Sequence, residues 1–282
     1  MNSSCALETT PAGVGVLTID QPGSKVNVLT RELWTDLESA LDEARSRPLA
    51  GLVIASAKPS VFIAGADLKL LETATGPNDP AVRSFIEHGL RVLAKLESLP
   101  FPTCAAIAGA ALGGGLEVAL ACDIRLVSES PKVQLGLPEV RLGLIPGWGG
   151  TQRLPRIVGL DRAAEMLASG DPLDAGEAIR AGLAFEADGP FPDSACEWVS
   201  KDGVLELRRF KMDPLPHAAR NAFVPLIEPE PVAVREGLVA MIRGAELPLK
   251  EAIAVETTAF LTLAGSAESK RLIAEFFATR KR

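Results

Sequence analysis

Two acidic side chains stand in sequence that otherwise carries little charge. Glu117 lies in GGGLEVALAC (residues 113–122) and Glu139 in LGLPEVRLGL (residues 135–144). A carboxyl group in a poorly hydrated pocket can give a proton to a substrate or take one from water. Plainer readings stand beside this one. An acid in the first turn of a helix is favoured by the helix dipole alone. Pro138 suits the first position of a short helix, which puts Glu139 in the same favoured place.

Two glycine-rich turns add a second kind of chemistry. FIAGADL (residues 62–68) closes an apolar strand with small residues and enters a helix, and GAALGGG (residues 109–115) precedes the helix that carries Glu117. Small residues let a ligand touch the backbone, and free N–H groups at a helix start attract negative charge. Each turn is equally well an ordinary strand-to-helix connection. The loop PGWGG (residues 146–150) is either a simple turn or a place of close packing or ligand approach.

Composition removes other chemistries. The 282 residues carry a net charge of −7, a poor match to nucleic acid or an anionic membrane surface. Hydrophobic residues at 47% and charged residues at 23% are those of a globular chain, not a disordered one. There is no tyrosine, and His88 and His217 are the only histidines, so a histidine-based triad or metal site has little material. No metal site is expected. The cysteines Cys5, Cys104, Cys122 and Cys196 form no C-x-x-C pair and read as reduced, buried thiols of an intracellular, cytoplasmic protein. The first residues have neither a basic nor an apolar region of the secretory kind. There is no G-x-G-x-x-G, no Gly-Lys pair, no H-E-x-x-H and no G-x-S-x-G. The stretch 104–122 is long enough to span a bilayer, but its three glycines and Glu117 fit a buried strand, turn and helix better.

The elements that position these residues follow from periodicity. Strands are expected at 14–20, 52–56, 103–108 and 123–127, with a further apolar strand closed by FIAGADL. Thr30 is a candidate N-cap for a helix whose apolar residues Leu33, Leu37, Ala40, Leu41 and Ala44 share a face. A second helix is expected from Ala81 to Ser98, stopped by Pro100 and Pro102. Strands alternating with helices predict an α/β core with mainly parallel pairing to about residue 190. Beyond it, 190–231 reads as Pro-rich and irregular, and helices are expected at 231–244 and 248–282.

Taken together, GGGLEVALACDIRL, GLPEVRLGLIPGWGGTQRLPRIVG and FIAGADL resemble the signature regions of the crotonase (enoyl-CoA hydratase/isomerase) superfamily. The similarity runs from Val14 to about Asp188. GSKVNVLT, FIAGADL, GGGLEVA, PEVRLG and the C-terminal sequence are closest to the hydratase portion of the trifunctional fatty-acid oxidation protein α-subunit. The resemblance implies such a module without its dehydrogenase portion.

The resemblance implies a crotonase-like ββα spiral core over 1–190, carrying acyl-CoA binding and catalysis, and a helical C-terminal region over 191–282. It implies hydration of a trans-2-enoyl-CoA to a 3-hydroxyacyl-CoA, in β-oxidation or a related pathway. Glu117 and Glu139 match the catalytic pair, with Glu139 as proton donor to the α-carbon and Glu117 as partner of the water. The backbone N–H groups of Ala66 and Gly114 match the oxyanion donors. Lys25, Ala64, Asp67 and Leu68 are implied to bind CoA, although a turn lysine is as often simply solvated. Trp148 and the Gly147–Gly150 loop are implied to border the acyl pocket, and Trp148 departs from the family, which usually has a small residue there. No cofactor is implied beyond the CoA of the substrate; a homotrimer packed through the helical C-terminal region is the implied assembly, with a tail folded back on its own core as the alternative for that region. A Δ3-Δ2 enoyl-CoA isomerase and a non-catalytic acyl-CoA-binding subunit are the alternatives. Cys104 and Cys122 lie in apolar runs and read as core.

Overall fold

The computed structural model describes residues 3–215 and 231–280. The chain begins with β1 (Cys5–Thr9), β2 (Val14–Ile19), α1 (Arg31–Ser46), β3 (Gly51–Ser56), β4 (Val61–Ile63), α2 (Leu68–Glu72) and α3 (Pro80–Glu97). It continues through β5 (Thr103–Ile107), β6 (Ala110–Leu112), α4 (Gly114–Ala121), β7 (Ile124–Val127) and β8 (Gln134–Gly136). A 3-10 helix (Pro138–Leu142) leads into α5 (Gly150–Arg153), α6 (Pro155–Val158), α7 (Leu160–Ser169) and α8 (Ala175–Arg180). Then come β9 (Phe185–Glu186), α9 (Asp193–Val199), α10 (Val204–Met212), α11 (Val232–Ala245), α12 (Leu249–Leu263) and α13 (Ala267–Arg280).

The strands divide between two sheets. The larger has the order β1-β2-β3-β5-β7-β9, and every pairing in it is parallel except β1 on β2. The smaller has the order β4-β6-β8 and is wholly parallel. Repeated strand–strand–helix units thus feed both sheets, which is the α/β spiral expected of a crotonase-like core. Parallel strands covered on both faces read as short apolar runs rather than alternating ones, and β5 and β7 are buried throughout.

Local sequence explains the helices that cover these sheets. Thr30 caps α1, its hydroxyl accepting from the Leu33 N–H, and the face expected from periodicity is buried with Trp34 added to it. Asp79 caps α3 with Pro80 in its first turn, so this helix starts one residue before the expected Ala81.

The apolar strand that FIAGADL closes is β4, which ends at Ile63 before the turn at Gly65 with φ +114°. Three expectations need correction. The stretch 190–231 is not irregular throughout, since α9 and α10 lie within it; residues 216–230, with His217, lie outside the described residues. The single helix expected over 248–282 is two, α12 and α13, broken at Gly265 with φ +80°. Cys5 and Cys196 are only partly buried, whereas Cys104 and Cys122 are fully so. The stretch 104–122 forms β5, β6 and α4, and no helix among the described residues is long and apolar enough to cross a membrane.

Candidate active site

The three pieces singled out by sequence all leave the C-terminal ends of the small parallel sheet. Ala66 follows β4, Gly114 and Glu117 follow β6, and Glu139 follows β8. Ligands of open parallel sheets sit at this edge, where loops diverge and helices begin.

The first turn is fixed by the segment before α1. Asn27 is fully buried, and its amide donates to the Phe62 carbonyl at 3.1 Å and to Ser56 Oγ at 2.9 Å. Leu29 then bridges Ala66: the Leu29 N–H donates to the Gly65 carbonyl (2.9 Å) and the Asp67 N–H to the Leu29 carbonyl (3.0 Å). A parallel bridge engages the groups flanking Ala66 and turns the N–H of Ala66 itself away from Leu29. Gly114 is the first residue of α4, where an N–H has no partner within its own helix. No backbone carbonyl accepts from either N–H among the described residues. The two turns touch, since a Cβ built on Gly65 would lie 3.5 Å from the Leu112 carbonyl oxygen.

The acids approach the same place from two sides. Glu117 is 1% exposed, and its Oε1 accepts from the N–H groups of Trp148 (2.6 Å) and Gly150 (2.8 Å). Glu139 lies against the second glycine turn, its Oε1 only 2.6 Å from where a Cβ on Gly113 would stand. Its Oε2 is buried and has no hydrogen-bond partner among the described residues.

Burial raises the proton affinity of both. The Glu139 carboxyl is pushed up to about 8, mainly by desolvation, with the charge of Glu256 adding to it and its own backbone N–H opposing. Glu117 is pushed well above the usual carboxylate range by burial, then by the charges of Glu256 and Glu139, against the two N–H bonds it accepts. Two carboxyls with raised proton affinity, one with an oxygen that has no partner among the described residues, beside two amides that no backbone carbonyl takes up there, can protonate carbon, activate water and stabilise an oxyanion.

Ala64, Ala66, Leu68, Gly114, Glu117, Glu139 and Trp148 line one cavity of about 500 Å³. That volume suits a small-molecule ligand. Lys25 and Asp67 do not line it. Lys25 is exposed, two residues before the Asn27 carbonyl that accepts from the Ala64 N–H. Asp67 caps α2, accepting from the Lys69 N–H at 3.1 Å.

The wall at Trp148 is apolar. Trp148 is 2% exposed, packs edge-on against Trp34 and Phe85, and donates its indole N–H to the Ile86 carbonyl at 3.1 Å. Its six-membered ring lies beside Gly114, where an added Cβ would be 2.6 Å from Cζ3.

Sequence reading missed several residues. Phe260 of α12 and Leu272, Glu275, Phe276 and Thr279 of α13 line the cavity, so the chain's own C-terminal helices close it. Glu256 of α12 is fully buried and pushed up to about 7, mainly by burial. Arg153 and Glu97 form a buried pair, with Nε–Oε1 at 2.8 Å and Nη2–Oε2 at 2.9 Å, and Arg153 also donates to the Trp148 carbonyl. A signal for Glu256 existed. Leu249, Ala252, Phe260 and Leu263 share its helix face and are buried, so an acid interrupts an apolar stripe.

Comparison with known proteins agrees with this arrangement. The sequence model of the family described as enoyl-CoA hydratase/isomerase matches residues 9–200. The structure of Pseudomonas aeruginosa DspI is 30% identical, over 74% of this chain and 85% of that one, with a TM-score of 0.64. An enoyl-CoA hydratase from Bacillus anthracis is 28% identical, over 99% and 97% of the two chains, with a TM-score of 0.61. An enoyl-CoA hydratase from Bacillus halodurans, at 24% identity and a TM-score of 0.71 over 97% of this chain and all of that one, shares the fold. With its spiral core, adjoining glycine turns and matched sequence, the chain belongs to the enoyl-CoA hydratase/isomerase family of the crotonase superfamily.

Proposed function

We propose that this protein is an enoyl-CoA hydratase, adding water across the double bond of a trans-2-enoyl-CoA to give a 3-hydroxyacyl-CoA. The observation that carries this reading is the unpartnered Oε2 of Glu139, in the same cavity as Glu117 and the amides of Ala66 and Gly114.

In this mechanism the thioester carbonyl oxygen accepts from the Ala66 and Gly114 N–H groups. Water adds to the β-carbon and the π electrons move onto that oxygen as an enolate. One such donor contributes about 3–4 kcal/mol to the transition state. Glu117, in the ionised form that its bonds from the Trp148 and Gly150 N–H groups favour against burial, orients the water and takes its proton. Glu139, held protonated up to about pH 8, delivers its proton to the α-carbon as the carbonyl re-forms. The steps draw only on carboxyls, main-chain amides and the CoA carried by the substrate.

The same proposal gives CoA to the outer rim. Ala64 and Leu68 line the cavity, and in this proposal Lys25 and Asp67, which do not, would meet the nucleotide end of a long ligand. Core and C-terminal region divide near residue 190, and the chain assembles as a trimer. The cysteine pattern fits a cytoplasmic setting and the chemistry fits β-oxidation or a related pathway.

The test follows the conjugated enoyl-thioester absorbance with wild type, Glu117→Gln and Glu139→Gln. Loss of absorbance with wild type alone supports the reading. An unchanged absorbance with tight acyl-CoA binding marks a binding subunit instead. Rising absorbance from a 3-enoyl-CoA, without hydration, marks the Δ3-Δ2 isomerase, which needs one base to shuttle a proton.

A further inference from the structure

Four consecutive N–H groups of the turn at 148–151 are taken alternately by two acids from two helices. Trp148 and Gly150 donate to Glu117 Oε1, at 2.6 and 2.8 Å. Gly149 donates to Glu256 Oε1 at 2.5 Å, and Thr151 donates to Glu256 Oε2 through its N–H at 2.7 Å and its hydroxyl at 2.6 Å. Gly149 has φ +96°, so the chain reverses here and these N–H groups find no local carbonyl.

We propose that Glu256 is a positioning residue for hydration: by holding the alternate N–H groups of this turn it aims Glu117 into the cavity and fixes Trp148 as the cavity wall. The inference rests on the assignment of Glu117 to the water. Glu256 lies outside the residues matched by the family model and does not line the cavity.

The three donors favour the ionised form at this position, against the burial that pushes the carboxyl up to about 7. Both Glu256 oxygens accept, from three donors, so nothing is left for an N–H of its own to meet. A carboxamide of the same shape would leave at least one N–H of the turn without an acceptor, at a cost comparable to a lost buried hydrogen bond.

The charge acts on the acids too. The charged groups facing Glu256 are Arg153 from α5, Glu117 from α4 and Glu139 from the 3-10 helix. Glu97 of α3 faces it through Arg153. Arg208 of α10 is bound to Asp123, and Lys250, Glu251 and Arg243 on α12 and α11 are exposed. The anion of Glu256 raises the proton affinity of both Glu117 and Glu139. A group that only packed the helix would do neither.

The experiment measures kcat and KM for trans-2-enoyl-CoA hydration against pH in wild type, Glu256→Gln and Thr151→Val. Glu256→Gln keeps the volume and removes the charge. It should lower kcat roughly 10- to 100-fold with KM within about threefold, because binding survives and alignment does not. The pH limbs should move to lower pH by about one unit, since a like charge has been removed. Thr151→Val drops the hydroxyl bond and keeps the charge, so kcat should fall a few-fold with the limbs in place. Wild-type kinetics in Glu256→Gln, or lost activity with unmoved limbs, overturns the proposal.

Where Glu256→Gln does not fold, carbon-13 NMR of the glutamate carboxyls in the intact protein decides. Glu117 should titrate in two steps, one of them shared with Glu256, and independent single titrations overturn the inference. A wild type that hydrates no enoyl-CoA overturns the proposed function instead. The titration still reports on Glu256.

Discussion

The carboxyl of Glu139 rests against the backbone of Gly113, with Oε1 2.6 Å from the position a Cβ would take. Gly113 also has φ +54° and ψ −126°, which L side chains rarely adopt. Gly113→Ala should therefore displace the acid and strain the start of α4, at about 1–3 kcal/mol for the backbone alone. Thermal unfolding and the hydration assay should both register the change. Wild-type values in both would show that the contact is dispensable.

Glu117→Gln and Glu139→Gln should each reduce hydration by about 10²–10⁴-fold, the usual range for a general acid or base. Binding of a saturated acyl-CoA, measured by calorimetry, should stay within a few-fold of wild type. Retained turnover in either variant would remove that residue from the proposed mechanism.

Trp148 and Gly89 make a reciprocal test. Gly89 lies inside α3, where Ala normally stabilises by about 0.5–1 kcal/mol. Here the added methyl would stand 2.3 Å from Trp148 Nε1, so Gly89→Ala should destabilise, by about 1–3 kcal/mol for overpacking. Trp148→Ala should cost about 3–5 kcal/mol and enlarge the cavity. Activity across enoyl-CoA chain lengths should then shift toward longer chains. An unchanged optimum would mean that the indole does not bound the acyl group.

The buried acids also set how stability responds to pH. Glu139 rises from an ordinary 4.5 to about 8 and Glu256 to about 7, so the folded protein keeps protons that the unfolded chain releases. Their contribution to stability is full below about pH 4.5 and is lost as pH rises through 7 to 8. Tm should fall over that window, and Glu139→Gln should flatten the fall and melt higher than wild type at pH 8. Calorimetry at several pH values checks this; an equal slope in the variant would count against a proton held on Glu139.

Particular residues show how far the sequence could be read. The α1 face and its Thr30 cap follow from side-chain periodicity and local bonding, and both were legible. So was the meeting of Glu117, Glu139, Ala66 and Gly114 in one cavity, through the motifs that carry them. The split into two sheets was not, because β4, β6 and β8 are three residues each, too short for a period to appear. Glu256 was marked only by its break in an apolar stripe; its bond to the turn, more than a hundred positions away along the chain, was not legible. Tertiary packing alone joins the two.

The small sheet behaves as a ruler. Ala111 stands opposite Ile63 on one side and Leu135 on the other, and these pairings set the relative heights of the three loops that follow. A slip of one residue would move a loop by about 3.3 Å and turn its strand over. Substitutions that loosen these nine strand residues should therefore misalign donors and acids together, even at positions that no ligand ever touches.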